Sequence, residues 1–422
     1  MAGELTLGVT LSRPVIPSLA TEQLVYALVE MRPAEQAAPA ALPLNLCLVL
    51  DRSGSMKGRK IDALRAATWQ LIDLLQPQDT LAVIVFNNRT QTIVPAQPMT
   101  PERKAAVIAE VRRFEAEGGT RMAPAMEAGL IELRKRRDTA GGAPGGLVTR
   151  LVLLTDGITE REKRCVRQAE AAAALGIPIV ALGIGRDWND QLLQAIATTT
   201  RGTADYVQAP EDIARHFQRT VEQMQAVALQ QAHLHVRTVA GVTPRTVFRA
   251  FPLIGRLAGT LPGTRDVEAP LDEIERTGQT LLLEFVVPNR PPGTYRIATL
   301  TVGYQVPGSA AGPQQAGAEV LLTFTADPAQ ASPPNPRVMN VVEKITAFKL
   351  QTRALEDLEA GNVEGATSKL QGAVTRLLSQ GDVSLAQTVQ QEIENLQRAR
   401  AMSPEGRKTI RFGSPHTVRL DQ

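Results

Sequence analysis

The sequence predicts a doubly wound, mostly parallel α/β domain inserted in an all-β sandwich and followed by a small C-terminal helical region. Three observations carry that prediction. Between residues 43 and 224, continuous apolar runs alternate with segments whose apolar residues recur at helical spacing. From 225 to 327 the pattern turns to strand-like runs parted by Gly/Pro-rich turns such as PNRPPG. Beyond a proline-rich linker, DPAQASPPNPR, residues 337–400 regain helical spacing.

The elements follow in order. ELTLGVTL and QLVYALVEM, within residues 1–40, read as strands. Proline- and alanine-rich linkers flank them, so they extend the parallel sheet poorly and are assigned to the later sandwich, which makes the α/β domain an insertion. LPLNLCLVL is the uninterrupted apolar run that a strand buried on both faces requires. KIDALRAATWQLIDLLQ spaces Ile61, Leu64, Leu71, Leu74 and Leu75 as a helix does. LAVIVF (81–86), TRLVLLT (149–155) and IPIVALGIG (177–185) are further buried strands, and TQTIVPA (90–96), polar and near a proline, suits an edge. ERKAAVIAEVRRF and APAMEAGLIELRKRR read as helices, as do about 162–174, 190–198 and 211–224, with a short strand, ADYVQ, before the last. Strands alternating with helices imply a parallel sheet covered on both faces. DTAGGAPGG (138–146) reads as a flexible loop. In the sandwich, AHLHVRTV, TLLLEFVV, TYRIATLTVGYQV and AEVLLTFTA are the strands; four are few, and the two N-terminal segments help. The helical region has the alanine–leucine spacing and interrupting glycines of short antiparallel helices, and residues 401–422 read as a flexible basic tail.

Composition narrows the function. A 422-residue chain with 43% hydrophobic and 21% charged residues fits a globular protein of two or three domains. A net charge of +3 gives no field that would direct it to nucleic acid. Cys47 and Cys165 sit in apolar or helical stretches and read as buried thiols. The first residues lack a basic segment followed by a long apolar run, and no stretch reaches ~18 apolar residues, so neither a signal peptide nor a membrane span is expected. The expected location is the cytoplasm.

The chemistry concentrates at strand ends. In LCLVLDRSGSMKGRK an apolar run stops at Asp51, and oxygen-bearing side chains follow at alternate positions, Ser53 and Ser55. Alternate side chains of a strand-to-helix loop can face one centre, and Gly54 permits the torsions this needs. Alone, the string is equally a polar turn with a serine helix cap. Asp156 in LLTDG ends another strand, and Thr120 in EGGT precedes a helix, so both reach the same carboxyl edge of the sheet. Two carboxylates and three hydroxyls make an all-oxygen set suited to Mg²⁺, or to Mn²⁺ or Ca²⁺. Arg52, Met56, Asn87 and Arg121 border it and are candidates for a partner-binding rim, although Asn87 and Asn88 fit a turn role better.

With Asp51, Ser53, Ser55, Thr120 and Asp156 all present, residues 43–224 resemble a von Willebrand factor A domain with its metal-ion-dependent adhesion site. The resemblance implies that Ser53, Ser55 and sometimes Thr120 ligate directly, that Asp51 and Asp156 often act through water, and that a partner's carboxylate completes the ion's shell. It also implies a protein partner such as an AAA+ ATPase. The arrangement of strands, insertion and helical tail resembles bacterial multidomain proteins of this type.

Rival chemistries fit less well. GSMKGRK is not a P-loop, and GIGRDW lacks the third glycine of a dinucleotide fingerprint. A nucleophile elbow needs glycine where Asp51 stands. His216 falls on a helix, and His233 and His235 share the solvent face of a strand, so no base is placed for either serine. Thr409 and Thr417 lie among basic residues and are candidate phosphorylation sites, which would make a forkhead-associated domain a second class of partner. The reading is thus a non-enzymatic, Mg²⁺-dependent adaptor or assembly factor. A secreted or surface adhesion protein and a metal-dependent hydrolase are the alternatives.

Overall fold

A computed structural model describes residues 4–34, 42–139, 146–259, 264–309 and 312–416. The chain opens with three strands, β1 (Leu5–Leu11), β2 (Val15–Pro17) and β3 (Gln23–Pro33). Residues 39–227 then form one compact unit, and residues 1–38 with 228–422 form the other.

The first of these units holds β4 (Leu44–Asp51), β5 (Thr80–Phe86), β6 (Thr90–Pro98), β7 (Val148–Thr155), β8 (Ile179–Ile184) and β9 (Thr203–Val207), in sheet order β6-β5-β4-β7-β8-β9. Neighbours run parallel except β6, which returns antiparallel along β5. β6 contains Pro95 and Pro98, and at an edge the missing N–H groups deprive no neighbour. Six helices cover the sheet: α1 (Arg59–Leu74), α2 (Pro101–Val111), α3 (Met122–Thr139), α4 (Glu162–Ala174), α5 (Asp190–Thr200) and α6 (Ile213–Gln225). Every residue of β4 is buried. Leu44, Leu46, Leu48 and Leu50 share a core with Leu64 and Leu71 of α1 and Phe217 of α6. Cys47 and Val49 point the other way, to α3. There Gly129 allows so close an approach that a Cβ would stand 3.0 Å from Val49 and Leu151. The stretch 138–146 begins inside α3, and its residues 140–145 lie outside the described ones. Both cysteines are buried and free, and burial pushes the Cys165 thiol up to about 11.

The second unit adds β10 (Val227–Thr238), β11 (Thr243–Phe251), β12 (Gly255–Gly259), β13 (Asp266–Glu275), β14 (Gln279–Val287), β15 (Gly293–Gln305) and β16 (Gln314–Thr325). Two five-stranded sheets result, β1-β3-β14-β11-β12 and β13-β10-β15-β16-β2. β3 is an interior strand, paired with β14 from Gln23↔Val287 to Met31↔Gln279. Its alternation serves two cores. Val25, Ala27, Val29 and Met31 join Leu281, Leu283 and Phe285 between the sheets, whereas Leu28 faces outward with Leu282 and Phe248. β2, β11, β12 and β13 are strands beyond those expected from the sequence. His233 is exposed, and its ring lies over the opposing Gly303, where a Cβ would meet it at 2.3 Å.

Among the described residues four α-helices follow the sandwich in sequence: α7 (Pro336–Glu359), α8 (Val363–Ser379), α9 (Val383–Ala399) and α10 (Pro404–Gly413). Asn335, Asn362, Asp382 and Ser403 cap them through side-chain oxygens that accept backbone N–H bonds. α7 lays Val338, Val341 and Ile345 on the outward face of Leu28, Phe248 and Leu282. α10 corrects the expectation of a flexible tail for residues 404–413, while residues 417–422 of that stretch lie outside the described ones. Glu392 of α9, only 3% exposed, accepts from Ser403 N at 2.7 Å and Ser403 Oγ at 2.6 Å, and Ile410 and Phe412 are buried. Thr409 is half-buried on this helix, not in loose sequence, while Thr417 lies outside the described residues. Among the described residues no helix is long and apolar enough to cross a membrane.

Candidate metal centre

β4 and β7 are neighbours in register, so their carboxyl ends deliver Asp51 and Asp156 side by side. Both are buried, at 0% and 1% exposed. Asp51 is held from two sides: Ser53 N donates to its Oδ1 at 2.8 Å, and Thr155 Oγ1 to its Oδ2 at 2.6 Å. Burial pushes its carboxyl up to about 6, the nearby Asp156 charge adds to that, and the two hydrogen bonds act against it.

After Asp51 the chain makes a single 3-10 turn, Gly54–Met56. Ser53 Oγ and Ser55 Oγ stand 3.0 Å apart, and Asp156 Oδ1 is 2.6 Å from Ser55 Oγ and 3.5 Å from Ser53 Oγ. The third loop is fastened beside them. Gly54 N donates to Gly118 O, Asn87 Nδ2 to Glu117 O at 3.0 Å, and Gly119 N to Asn88 Oδ1 at 3.0 Å. Thr120 thereby reaches the centre: a Cβ at Gly157 would meet Thr120 Oγ1 at 3.2 Å and Ser55 Oγ at 3.9 Å. All five predicted oxygen-bearing residues therefore meet at one strand edge.

The donors fit a hard divalent ion. Adjacent ligands of an octahedron with ~2.1 Å bonds lie ~3 Å apart, and the Ser53, Ser55 and Asp156 oxygens span that range. Among the described residues no group of three or more His, Cys, Asp or Glu gathers as a metal site; here three of five donors are hydroxyls.

The rim differs from expectation at Met56, and at Asn87 the structure shows the turn role that fitted better than a rim role. Met56 is fully buried, because the 3-10 turn swings it into the core with Leu50 and Ile61. Asn87 is 5% exposed and bonds both Glu117 O and Arg89 N, so it braces the loops instead of lining a surface. Arg52 lies across the third loop, 3.5 Å from Glu117, and Arg121 is exposed next to Thr120. Three participants escaped the sequence reading. Thr155 adjoins Asp156 in the motif, Ile158 is 68% exposed two residues after it, and Lys60 Nζ donates to Asp156 Oδ2 at 2.5 Å. Their signal was proximity to the motif, which does not state direction.

Residues 45–222 match the model of the von Willebrand factor type A domain, and residues 336–419 match that of the Sll0103-like C-terminal alpha-helical domain. The chain is 30% identical over 391 residues to "Uncharacterized protein sll0103" of Synechocystis, covering 89% of each chain. It is 28% identical over 232 residues to inter-alpha-trypsin inhibitor heavy chain H4 of Bos taurus, of which it spans 25%. A von Willebrand factor type A structure from Catenulispora acidiphila superposes with TM-score 0.77 over 98% of this chain and 97% of that one, at 18% identity. The ArnB paralog VWA2 of Sulfolobus acidocaldarius gives 0.57 over 98% and 99%, at 16% identity.

Proposed function

Because the chain belongs to the von Willebrand factor type A proteins that carry an Sll0103-like helical domain, we propose that it is a metal-dependent docking module. Asp51, Ser53, Ser55, Thr120 and Asp156 would hold Mg²⁺. The ion would supply a Lewis-acidic position for a carboxylate on a partner protein. One observation carries the reading: the Ser53 and Ser55 hydroxyls and Asp156 Oδ1, from two loops 101 and 103 positions apart, lie 2.6–3.5 Å from one another, the spacing of adjacent ligands around a small divalent ion.

Each part of the chain has a role in this reading. Ser53 and Ser55 bring neutral oxygens, which add nothing to the negative charge that Asp51 and Asp156 already supply to the ion. Asn87 and Asn88 hold the Thr120 loop in place before any ligand arrives. Exposed Ile158 and Arg121 supply an apolar and a cationic contact around the incoming acid. The hydrogen bonds of Ser53 and Ser55 run to each other and to Asp156, not to an imidazole, which favours binding over nucleophilic chemistry. An intracellular assembly factor such as an AAA+ ATPase, offering an exposed Asp or Glu, is the class of partner that this chemistry would take.

The test is affinity capture with wild type and Ser53→Ala, in Mg²⁺ and in EDTA. The expected outcome is a partner retained only by wild type in Mg²⁺. A partner held equally by both proteins and in both buffers would show that docking does not run through the ion.

A further inference from the structure

Lys60 is no part of the five-residue oxygen pattern, yet it enters the centre. It stands in the first turn of α1, and its Nζ donates to Asp156 Oδ2 at 2.5 Å. Its side chain is 29% exposed, against a carboxylate at 0%. The ammonium also lies against the end of β8, where a Cβ on Gly185 would meet Nζ at 3.7 Å. The neighbouring Arg59 is turned away to Glu211. With Oδ2 held by Lys60, the other oxygen of Asp156 is left facing Ser55 and Ser53, at 2.6 and 3.5 Å.

We infer that Lys60 is a positioning residue and the built-in counter-charge of the metal centre. The inference rests on the docking reading of the same site. Its first effect is orientation: a carboxylate anchored at one oxygen presents the other in a fixed direction. Its second effect is charge. Two carboxylates and one ammonium give the donor set a net charge of −1, so a divalent ion leaves the loaded centre at +1. Without Lys60 the loaded centre would be neutral. The ammonium therefore weakens retention of the ion at rest and strengthens attraction for an anionic ligand. Ion and partner carboxylate become mutually dependent, since each lowers the electrostatic cost of the other. The ligand class selected is an acidic side chain, in preference to a neutral carbonyl.

The experiment uses Mn²⁺ as the probe and the full chain, with free Mn²⁺ followed by electron paramagnetic resonance. Wild type, Lys60→Met, Lys60→Gln, Lys60→Arg and Ser53→Ala are titrated with and without acetate. Removing the charge in either neutral variant is expected to tighten Mn²⁺ binding about tenfold, roughly 1.4 kcal/mol. The acetate-induced gain in affinity shrinks with it. Lys60→Arg retains wild-type behaviour. A merely structural lysine would produce no tightening, and melting curves in EDTA identify any variant that fails to fold. If wild type binds Mn²⁺ through Ser53 but neither neutral variant binds it more tightly, the counter-charge is wrong while docking stands. If wild type binds no Mn²⁺, or Ser53→Ala binds it equally, both fall.

Discussion

A carboxylate at 0% exposure is a costly group, and Asp51 is one. Its folded-state carboxyl is raised from 3.8 to about 6, chiefly by burial. The sign follows: the stability it contributes is full below 3.8 and is lost as pH rises through about 6. At neutral pH the metal-free protein therefore holds a buried anion at a loss. Asp51→Asn keeps the shape, can still accept from Ser53 N, and removes the charge. In EDTA at pH 7 it should melt about 2–4 °C above wild type, while its Mn²⁺ affinity falls at least ~10-fold. Scanning fluorimetry and titration calorimetry check the two halves, and a lowered melting temperature would contradict the first. At this scale the sequence was legible where alternation governs, at Asp51, Ser53 and Ser55. It was not legible at Met56, because alternation does not state that the 3-10 turn of Gly54–Met56 turns this side chain into the core. At Asn87 it favoured a turn role but could not name the partner, since the Glu117 carbonyl that it bonds is 30 positions away.

At the scale of elements, the start of α10 is held by a buried acid. Glu392 accepts from both Ser403 N and Oγ, and it packs so closely that a Cβ on Gly406 would meet it at 2.1 Å. Glu392→Ala strands those donors and should cost about 1–3 kcal/mol in urea denaturation. The amides of Glu405 to Gly413 should then exchange faster than those of α8, as hydrogen exchange would read. The basic run GRKTIRF hid this helix, because its partners lie on α9 and Glu359 of α7 and not in its own pattern. β13 was hidden for another reason. Val267, Ala269 and Leu271 alternate inward, but Asp272 has φ 62 and the buried residue after it is Ile274, so the period breaks mid-strand. The strands β4, β5, β7 and β8 were legible because burial on both faces demands uninterrupted apolar runs.

At the scale of the molecule, the sandwich is assembled from strands on both sides of the inserted α/β domain. Deleting residues 1–34 removes β1, β2 and the interior β3 together. β14 then loses a nine-residue pairing, and Leu281, Leu283 and Phe285 lose their partners. The truncated protein should lose the cooperative melting of that unit and bind a hydrophobic dye. Residues 39–227 expressed alone should melt cooperatively and bind Mn²⁺, because their core and all five donors lie within them. A truncated protein in which that unit still melts cooperatively, or an isolated 39–227 that does not melt cooperatively, would refute the division. The insertion was legible from linker composition, whereas the pairing of β3 with β14 required structure, since similar alternation fits any sandwich strand.

The contact between Ser55 and Asp156 joins residues 101 positions apart. In an unfolded chain those oxygens are strangers, so a divalent ion finds nothing to hold. Under the docking reading, ion capture is then also selection of the native state: at a hundredfold excess over its Kd the ion adds about 2.7 kcal/mol to folding. Chelation would accordingly do two things at once, releasing the partner and shortening the life of the domain that held it.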